Sequence, residues 1–176
     1  MNAKPGLKET TVRDAARAPF EDYADEPRPL APYGILSGIF AVAVGGSLVA
    51  LRAAGKRLPK RIGAGDVVLA GVATHKLSRL LAKDKITSFL RAPFTEYQGS
   101  GGPGEVEEKP RGSGLRYATG ELLVCPYCLG LWVAAAYGVG HVAAPRGTRF
   151  AGFVLTALTI SDSLQIAYKA AEEKGL

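Results

Sequence analysis

Two cysteines stand three residues apart in the segment Cys125-Pro126-Tyr127-Cys128, directly before a long apolar run. Positions three apart on a helix share a face, so both sulfur atoms would point the same way. Proline suits the first turn of a helix, and the dipole at a helix start lowers the pKa of a thiol. The pattern is therefore compatible with a redox dithiol, with two of the four ligands of a zinc site, or with small side chains that pack at a helix end.

A zinc site would need further ligands, and the sequence offers few. His141 lies sixteen residues beyond Cys125, about 24 Å along a helix at ~1.5 Å per residue, which is too far to take part. His75 could contribute if its helix packs against the cysteines. One of three acids would then complete the set: Glu121, Asp84 or Asp162.

Redox chemistry through the cysteine pair has a requirement of its own. A membrane dithiol must pass its electrons to a second cysteine pair or to a partner protein, and this chain has only two cysteines. The tetrapeptide resembles the active-site motif of glutaredoxins, but here a membrane-length apolar segment follows it instead of a soluble βαβ unit. No serine–histidine–aspartate set, carboxylate pair or phosphate-binding glycine loop stands out, so a non-enzymatic role is favoured.

A second polar group interrupts the apolar stretch that precedes residue 83. Lys76 and Arg79 lie three apart and share a helix face, next to His75. These side chains could bind lipid phosphate, or pair with Asp162 on a later helix. The simpler interpretation is that they extend towards the headgroups, as basic residues at helix ends commonly do. A small transporter or accessory subunit that uses Arg79 and Asp162 is a further hypothesis.

Two apolar runs that could position these residues are long enough to cross a bilayer. Pro29 to Leu51 carries no charged residue, and at ~1.5 Å per residue this run exceeds the ~30 Å of a hydrocarbon layer. Leu122 to Pro145 contains only His141 as a chargeable group. With two weaker helices, the expected fold is all-α: a small multi-pass transmembrane bundle of about four helices, at residues 33–54, 62–82, 121–143 and 150–168.

The remaining segments are polar. Residues 1–32, rich in proline and acid, are expected to form a disordered tail, and 169–176 a short C-terminal tail. Residues 83–120 are expected to form a polar loop with a glycine-rich second half. Within it, the spacing of Ile86, Phe89, Leu90 and Phe94 suits an amphipathic turn or two on a membrane surface. Helix packing faces are expected at four glycines of the first run: Gly34, Gly38, Gly45 and Gly46.

The net charge of +6 is distributed around the apolar runs rather than along one stripe. This arrangement favours anionic lipid headgroups over nucleic acid as the partner. If all four helices span, seven of the 22 basic residues lie on one side, and 15, including Lys76 and Arg79, lie on the side of the 83–120 loop. If the second helix lies in the interface instead, the basic connection before it joins the 83–120 loop on one side and the acidic tail lies on the other. The two arrangements agree on the side of the cysteines. The positive-inside rule then predicts a plasma-membrane protein with that loop and the cysteines in the cytoplasm.

Two stretches resemble a bacterial family of small membrane proteins known as domain of unknown function 1360, some of whose members are labelled sporulation proteins. They are Ala73–Phe94, ATHKLSRLLAKDKITSFLRAPF, and Gly120–Trp132, GELLVCPYCLGLW. The resemblance covers roughly residues 62–168. It implies membrane location and a family-type cysteine pair, but no activity. It also implies a shared role for a set of residues: Arg79, Asp84, Arg91, Glu121, Cys125, Cys128 and Trp132.

These observations lead to one main hypothesis and one alternative. The main hypothesis is an interaction or scaffold module whose cytoplasmic face, around the cysteine motif and residues 74–94, contacts membrane lipids or another membrane or cytoplasmic protein. The alternative is a membrane thiol-redox or zinc-binding protein that acts through Cys125 and Cys128, with zinc as the candidate cofactor.

Overall fold

The computed structural model describes Tyr23 and residues 28–175. This part of the chain forms six α-helices and one two-stranded antiparallel sheet. The elements are α1 (Leu30–Ala53), α2 (Ala64–Lys83), a 3-10 turn (Lys85–Thr87), α3 (Ser88–Arg91), β1 (Thr95–Ser100), β2 (Val106–Pro110), α4 (Gly114–Val124), α5 (Pro126–Ala143) and α6 (Pro145–Glu173). Most of the expected disordered tail, residues 1–32, lies outside the described residues, and residues 30–32 begin α1.

Helix α2 is the central element, because it packs against both α5 and α6, while α1 packs on α5 and α4. Ion pairs join Asp66 to Arg149 and Lys76 to Asp162, so residue numbers rise together and α2 runs parallel to α6. The ends of the long helices therefore alternate. The start of α1, the end of α2, the start of α5 and the end of α6 lie together at one end of the bundle.

Helices α1 and α6 are each long and apolar enough to cross a membrane, which indicates membrane association. The pair α4 and α5 passes the same criterion only if the two are counted as one span bent by 83°. Helix α2 is close to the expected 62–82 in extent, but it carries several charges. Helix α6 extends beyond the expected 150–168 at both ends and takes in much of the expected C-terminal tail.

The helix expected at 121–143 is divided into α4 and α5. Cys125 adopts an extended conformation, with φ −105° and ψ 103°, and separates the two helices. The residue before a proline is disfavoured in the helical conformation, so Pro126 ends α4 and begins α5. The chain turns sharply there, and α4 belongs to the polar segment that precedes the motif.

The expectation of an all-α fold with a polar loop over 83–120 needs correction, because strands β1 and β2 form a hairpin there. The alternation of strand residues is hidden in the sequence because two of the inward-facing positions are polar, Thr95 and Glu108. The glycine-rich segment expected to be a linker is the hairpin turn, in which Gly104 adopts a positive φ of 76°. We refer to residues 84–124 as the hairpin unit.

Two glycines allow close approach between elements. A Cβ atom at Gly120 of α4 would lie 2.5 Å from the backbone oxygen of Phe94 and 3.0 Å from Pro110. A Cβ atom at Gly152 of α6 would overlap Tyr137 of α5 and lie 3.0 Å from Leu69 of α2. Among the described residues, nothing packs closely on the glycines of α1, since a Cβ atom at these four positions would meet no described atom within 4 Å: Gly34, Gly38, Gly45 and Gly46.

Candidate functional site

The CPYC turn (residues 125–128) projects from the bend between α4 and α5. Cys125 caps α5, because its Sγ accepts a hydrogen bond from the backbone N–H of Cys128 at 3.2 Å. The two cysteines are paired as a disulfide, with Cα atoms 5.2 Å apart. Tyr127 is 93% exposed, and Cys128 is exposed beside it. The turn is thus both accessible and held in one conformation.

The residues expected to complete a zinc site do not fit that role. Within residues 28–175, no three histidine, cysteine or acidic side chains are grouped so that they could hold a metal ion. His75 is exposed on α2. The three candidate acids are each hydrogen-bonded elsewhere: Glu121 to Tyr33, Asp84 to the backbone N–H of Ile86, and Asp162 to Lys76. We therefore derive no zinc chemistry from this arrangement.

Arg91 forms the centre of the hairpin unit. Its side chain is 0% exposed, and its Nε donates to the carboxylate of Glu108, which is itself buried. Its remaining donors reach the carbonyl oxygen of Leu81 at 2.8 Å, the hydroxyl of Thr87 at 2.8 Å and the carbonyl oxygen of Asp84 at 3.0 Å. A buried charge requires this degree of compensation. Arg91 therefore joins the end of α2 to the hairpin, and it is not presented to a lipid or partner.

Thr95 completes this buried cluster from the first strand. Its hydroxyl contacts the carbonyl oxygen of Arg91 at 3.0 Å and the second carboxylate oxygen of Glu108 at 3.2 Å. Asp84 contributes in a different way, because its side chain caps the 3-10 turn by accepting from Ile86 N–H at 3.0 Å. The cluster thus fixes the hairpin relative to the last turn of α2.

The basic residues at the end of α2 bind the hairpin from outside. Arg79 makes a two-pronged pair with Glu105, at 2.7 and 2.8 Å, and Lys83 pairs with Glu107 at 3.1 Å. Both pairs are at least partly exposed, so each contributes little stability alone. The basic residues between 74 and 84 therefore contact two different parts of the protein. Lys76 faces α6, while Arg79 and Lys83 face the hairpin.

The Lys76–Asp162 pair lies between two helices of the bundle. Lys76 is largely shielded from solvent, while Asp162 is about half exposed. The sequence suggested this pairing as one alternative and also suggested joint use of Arg79 with Asp162. The structure gives Arg79 and Asp162 different partners, Glu105 and Lys76 respectively.

Glu121 and Trp132 connect α1 to the cysteine motif. The hydroxyl of Tyr33 donates to Glu121 on α4, and Phe40 meets Trp132 on α5 edge to face, with ring centroids 5.1 Å apart. Contacts of this kind add to apolar burial and favour a defined orientation. Both residues therefore hold α1 beside the CPYC turn and position that turn indirectly.

The sequence-predicted residues form three neighbouring groups rather than one site. The cysteines form the exposed turn, Glu121 and Trp132 support it through α1, and the basic residues of 76–91 anchor α6 and the hairpin. Sequence reasoning missed the acids of the hairpin: Glu105, Glu107 and Glu108. Their signal was available, because an acidic segment after a glycine turn complements the basic segment before it.

Comparison with known proteins assigns the chain to a family. Residues 69–168 match the family described as protein of unknown function (DUF1360), and the chain belongs to that family. Two relatives from Bacillus subtilis (strain 168) are similar over part of the chain. UPF0713 protein YngL is 36% identical over 76 residues, 43% of this chain and 56% of the relative. Sporulation protein YjcA is 38% identical over 71 residues, 39% of this chain and 60% of the relative.

The chain thus spans less than two thirds of the length of either relative. No solved structure matches it. The family carries no assigned activity, so the geometry described above is the basis for any functional proposal.

Proposed function

We propose that this member of the DUF1360 family is a four-span membrane protein that acts as an interaction module and docks a protein partner around the CPYC turn. The observation that carries the proposal is Tyr127, an aromatic side chain 93% exposed on a turn that Cys125 holds as the cap of α5. Tyrosine is enriched among the residues that dominate binding energy at interfaces. A turn already fixed in one conformation also loses little entropy when it binds.

The packing of α2 supports a fourth span. Its 20 residues extend for about 30 Å, the thickness of a hydrocarbon layer. Its charged residues disfavour insertion when they are unpaired, but all four have partners in the protein: Asp66, Lys76, Arg79 and Lys83. Charged groups inside membranes are tolerated when they pair with one another. Helix α2 would therefore insert as part of a bundle with α5 and α6.

The orientation follows from the charge distribution. With four spans, the basic connection between α1 and α2 lies on one side, and the hairpin unit and CPYC turn lie on the other. The second side holds 13 of the 22 basic residues and the first side seven, while Lys76 and Arg79 lie within α2. By the positive-inside rule this side faces the cytoplasm, so the partner would be a cytoplasmic protein or the cytoplasmic part of a membrane protein.

Site-specific photocrosslinking tests the docking proposal. A photoreactive phenylalanine analogue replaces Tyr127, and in a matched control it replaces Phe153, an exposed residue of α6. We expect a discrete protein adduct of reproducible mass from position 127 in native membranes, and lipid adducts from position 153. Lipid adducts alone at both positions would contradict a protein-docking role for the turn.

The disulfide itself favours a second candidate function, thiol–disulfide exchange. Cys128 is exposed, and Cys125 starts a helix, where a thiolate is stabilised. In one turnover a substrate dithiol would be oxidised to a disulfide, while Cys125 and Cys128 would take up two electrons and two protons as thiols. A partner protein disulfide would then have to reoxidise the pair, because the chain contains no other cysteine.

Replacing both cysteines by serine separates the two candidates. Under the docking proposal the double variant keeps the adduct formed from position 127, although its yield falls because the turn is less constrained. Under the exchange proposal the double variant fails to restore the phenotype of a strain that lacks the protein. The wild-type cysteine pair should also cycle between thiol and disulfide in cells. A pair that never changes redox state would count against exchange.

A further inference from the structure

The segment that follows α2 is folded with its polar side inwards. In the 3-10 turn and α3, Thr87 and Arg91 are buried, whereas Ile86 is 76% exposed, Phe89 69% and Leu90 49%. Positions 86, 89 and 90 have the i, i+3, i+4 spacing of one helix face. A segment surrounded by water would adopt the reverse arrangement, with its large apolar side chains covered and its arginine exposed.

We propose that Ile86, Phe89 and Leu90 insert into the boundary between lipid headgroups and acyl chains, and so anchor the hairpin unit flat against the bilayer. The proposal rests on the four-span placement given above. Its occupant is the lipid surface of the same membrane. Three apolar side chains on one face are the arrangement by which short amphipathic segments bind this boundary.

The position of the segment along the bundle agrees with this occupant. Lys76 and Asp162 are paired, and α2 runs parallel to α6, so equal steps beyond the pair reach the same height. Six residues further, about 9 Å at ~1.5 Å per residue, are Ala82 on α2 and Tyr168 on α6. Helix α6 carries exposed large hydrophobic side chains up to this level, at Leu164, Ile166 and Tyr168.

Tyrosine is enriched at the membrane–water boundary. Tyr168 therefore marks the bilayer surface at about the height where the 86–90 segment begins. Lys85 supports the same placement, because it is exposed directly beside Ile86 and can reach lipid phosphate. The buried Arg91–Glu108 pair explains why the segment is stable in this orientation, since it holds the polar face inside the unit.

Depth-dependent fluorescence quenching tests the anchor. Trp132 is replaced by phenylalanine to remove the native tryptophan, and one new tryptophan is introduced at Phe89. The purified protein is reconstituted into vesicles of phosphatidylcholine with anionic phosphatidylglycerol. Two matched variants calibrate the result. Phe153→Trp reports a side chain expected to face lipid on α6, and Glu96→Trp reports an exposed hairpin position whose native charge places it in water.

We expect a nitroxide carried near the headgroup end of the acyl chain to quench the fluorescence of Phe89→Trp strongly. We expect aqueous iodide to quench Phe89→Trp at least five-fold less than Glu96→Trp. Free access of iodide to position 89, with no quenching from lipid, would overturn the anchor. Protection from both quenchers would also overturn it, because a protein surface would then cover the segment. If Phe153→Trp is also unquenched by lipid, the proposed membrane placement of α6 fails together with the anchor. If lipid quenches Phe153→Trp but not Phe89→Trp, only the anchor fails and the membrane placement is retained.

Discussion

Removing Arg91 should release the hairpin from the rest of the protein. The substitution Arg91→Met replaces the aliphatic stem of the arginine with an unbranched apolar side chain and removes the guanidinium group. The Glu108 carboxylate, only 6% exposed, is then left without its cationic partner. Breaking a buried ion pair by deleting one partner costs about 3–5 kcal/mol. The carbonyl oxygens of Leu81 and Asp84 lose their donors as well.

Hydrogen exchange of the β1 and β2 amides in lipid nanodiscs measures this loss. Since each ~1.4 kcal/mol corresponds to a ten-fold change, exchange should accelerate between roughly a hundred-fold and a few thousand-fold. The acceleration should be confined to the hairpin unit, and amides in the middle of α1 and α6 should exchange as in the wild type.

A double variant distinguishes loss of the charge partner from loss of packing. Arg91→Met combined with Glu108→Leu removes both charges, and apolar replacement of a whole buried pair is often neutral or stabilising. We therefore expect most of the protection to return. The exposed Glu96–Lys109 pair supplies a control. Glu96→Gln should change the free energy of hairpin opening, obtained from the exchange rates, by no more than about 1 kcal/mol. Unchanged exchange in Arg91→Met, or a double variant as unprotected as the single one, would refute the reasoning.

Three further predictions concern other contacts. Gly120→Ala places a Cβ atom 2.5 Å from the backbone oxygen of Phe94 and should destabilise the protein by about 1–3 kcal/mol in thermal unfolding, whereas Gly138→Ala, with open space around it, should be tolerated. Lys76→Asp should lower the melting temperature in detergent, and adding Asp162→Lys should recover at least half of the loss; a double variant worse than the single would contradict the pairing. A maleimide should label the native protein only after reduction, and then more readily at Cys128 than at the half-buried Cys125.

The long helices were predictable from the sequence because apolar run length is a strong signal. The run from Pro29 to Leu51 identified α1 to within a few residues, and the family resemblance is confirmed by the match over residues 69–168. The observed helix ends differ from the expected ones at two prolines, where the local backbone preference decides the boundary. Pro126 divided one expected helix into two, and Pro145, which suits a first helical turn, began α6 five residues early.

The hairpin could not be read from hydrophobic alternation, because its inward positions include Thr95 and Glu108 in place of apolar residues. Those polar positions are explained by Arg91, which contacts both of them in the interior. Arg91, Thr95 and Glu108 are separated in the sequence, so no single segment shows that they belong together. Hydrophobic patterns predict a residue as buried only when its side chain is apolar. They therefore predict Arg91 as a surface residue, although Glu108, 17 residues away, pairs with it in the interior.

The candidate site was predicted in part. The cysteine motif and its position at a helix start were evident from spacing, and so was the charge of the 76–84 segment. Among the partners of these charges, the sequence suggested Asp162 as one alternative, but it did not suggest Glu105 or Glu107, because the pairing depends on which elements pack together. Asp162 is 86 residues from Lys76 and Glu105 is 26 from Arg79, and sequence separation alone does not favour one over the other.

The central claim is that α2 spans the membrane and places the hairpin unit and CPYC turn on the side opposite the basic connection at 54–63. Substituted-cysteine labelling tests it directly, in a background where both native cysteines are serine. A single cysteine is placed at Gly102 in the hairpin turn or at Arg57 in the connection, both of which are exposed. A membrane-impermeant maleimide is then applied to intact cells and to inverted vesicles.

We predict that position 57 is labelled only in intact cells, in which the outer surface is accessible, and position 102 only in inverted vesicles. Labelling of both positions from the same side would show that α2 does not cross the membrane and would contradict the account.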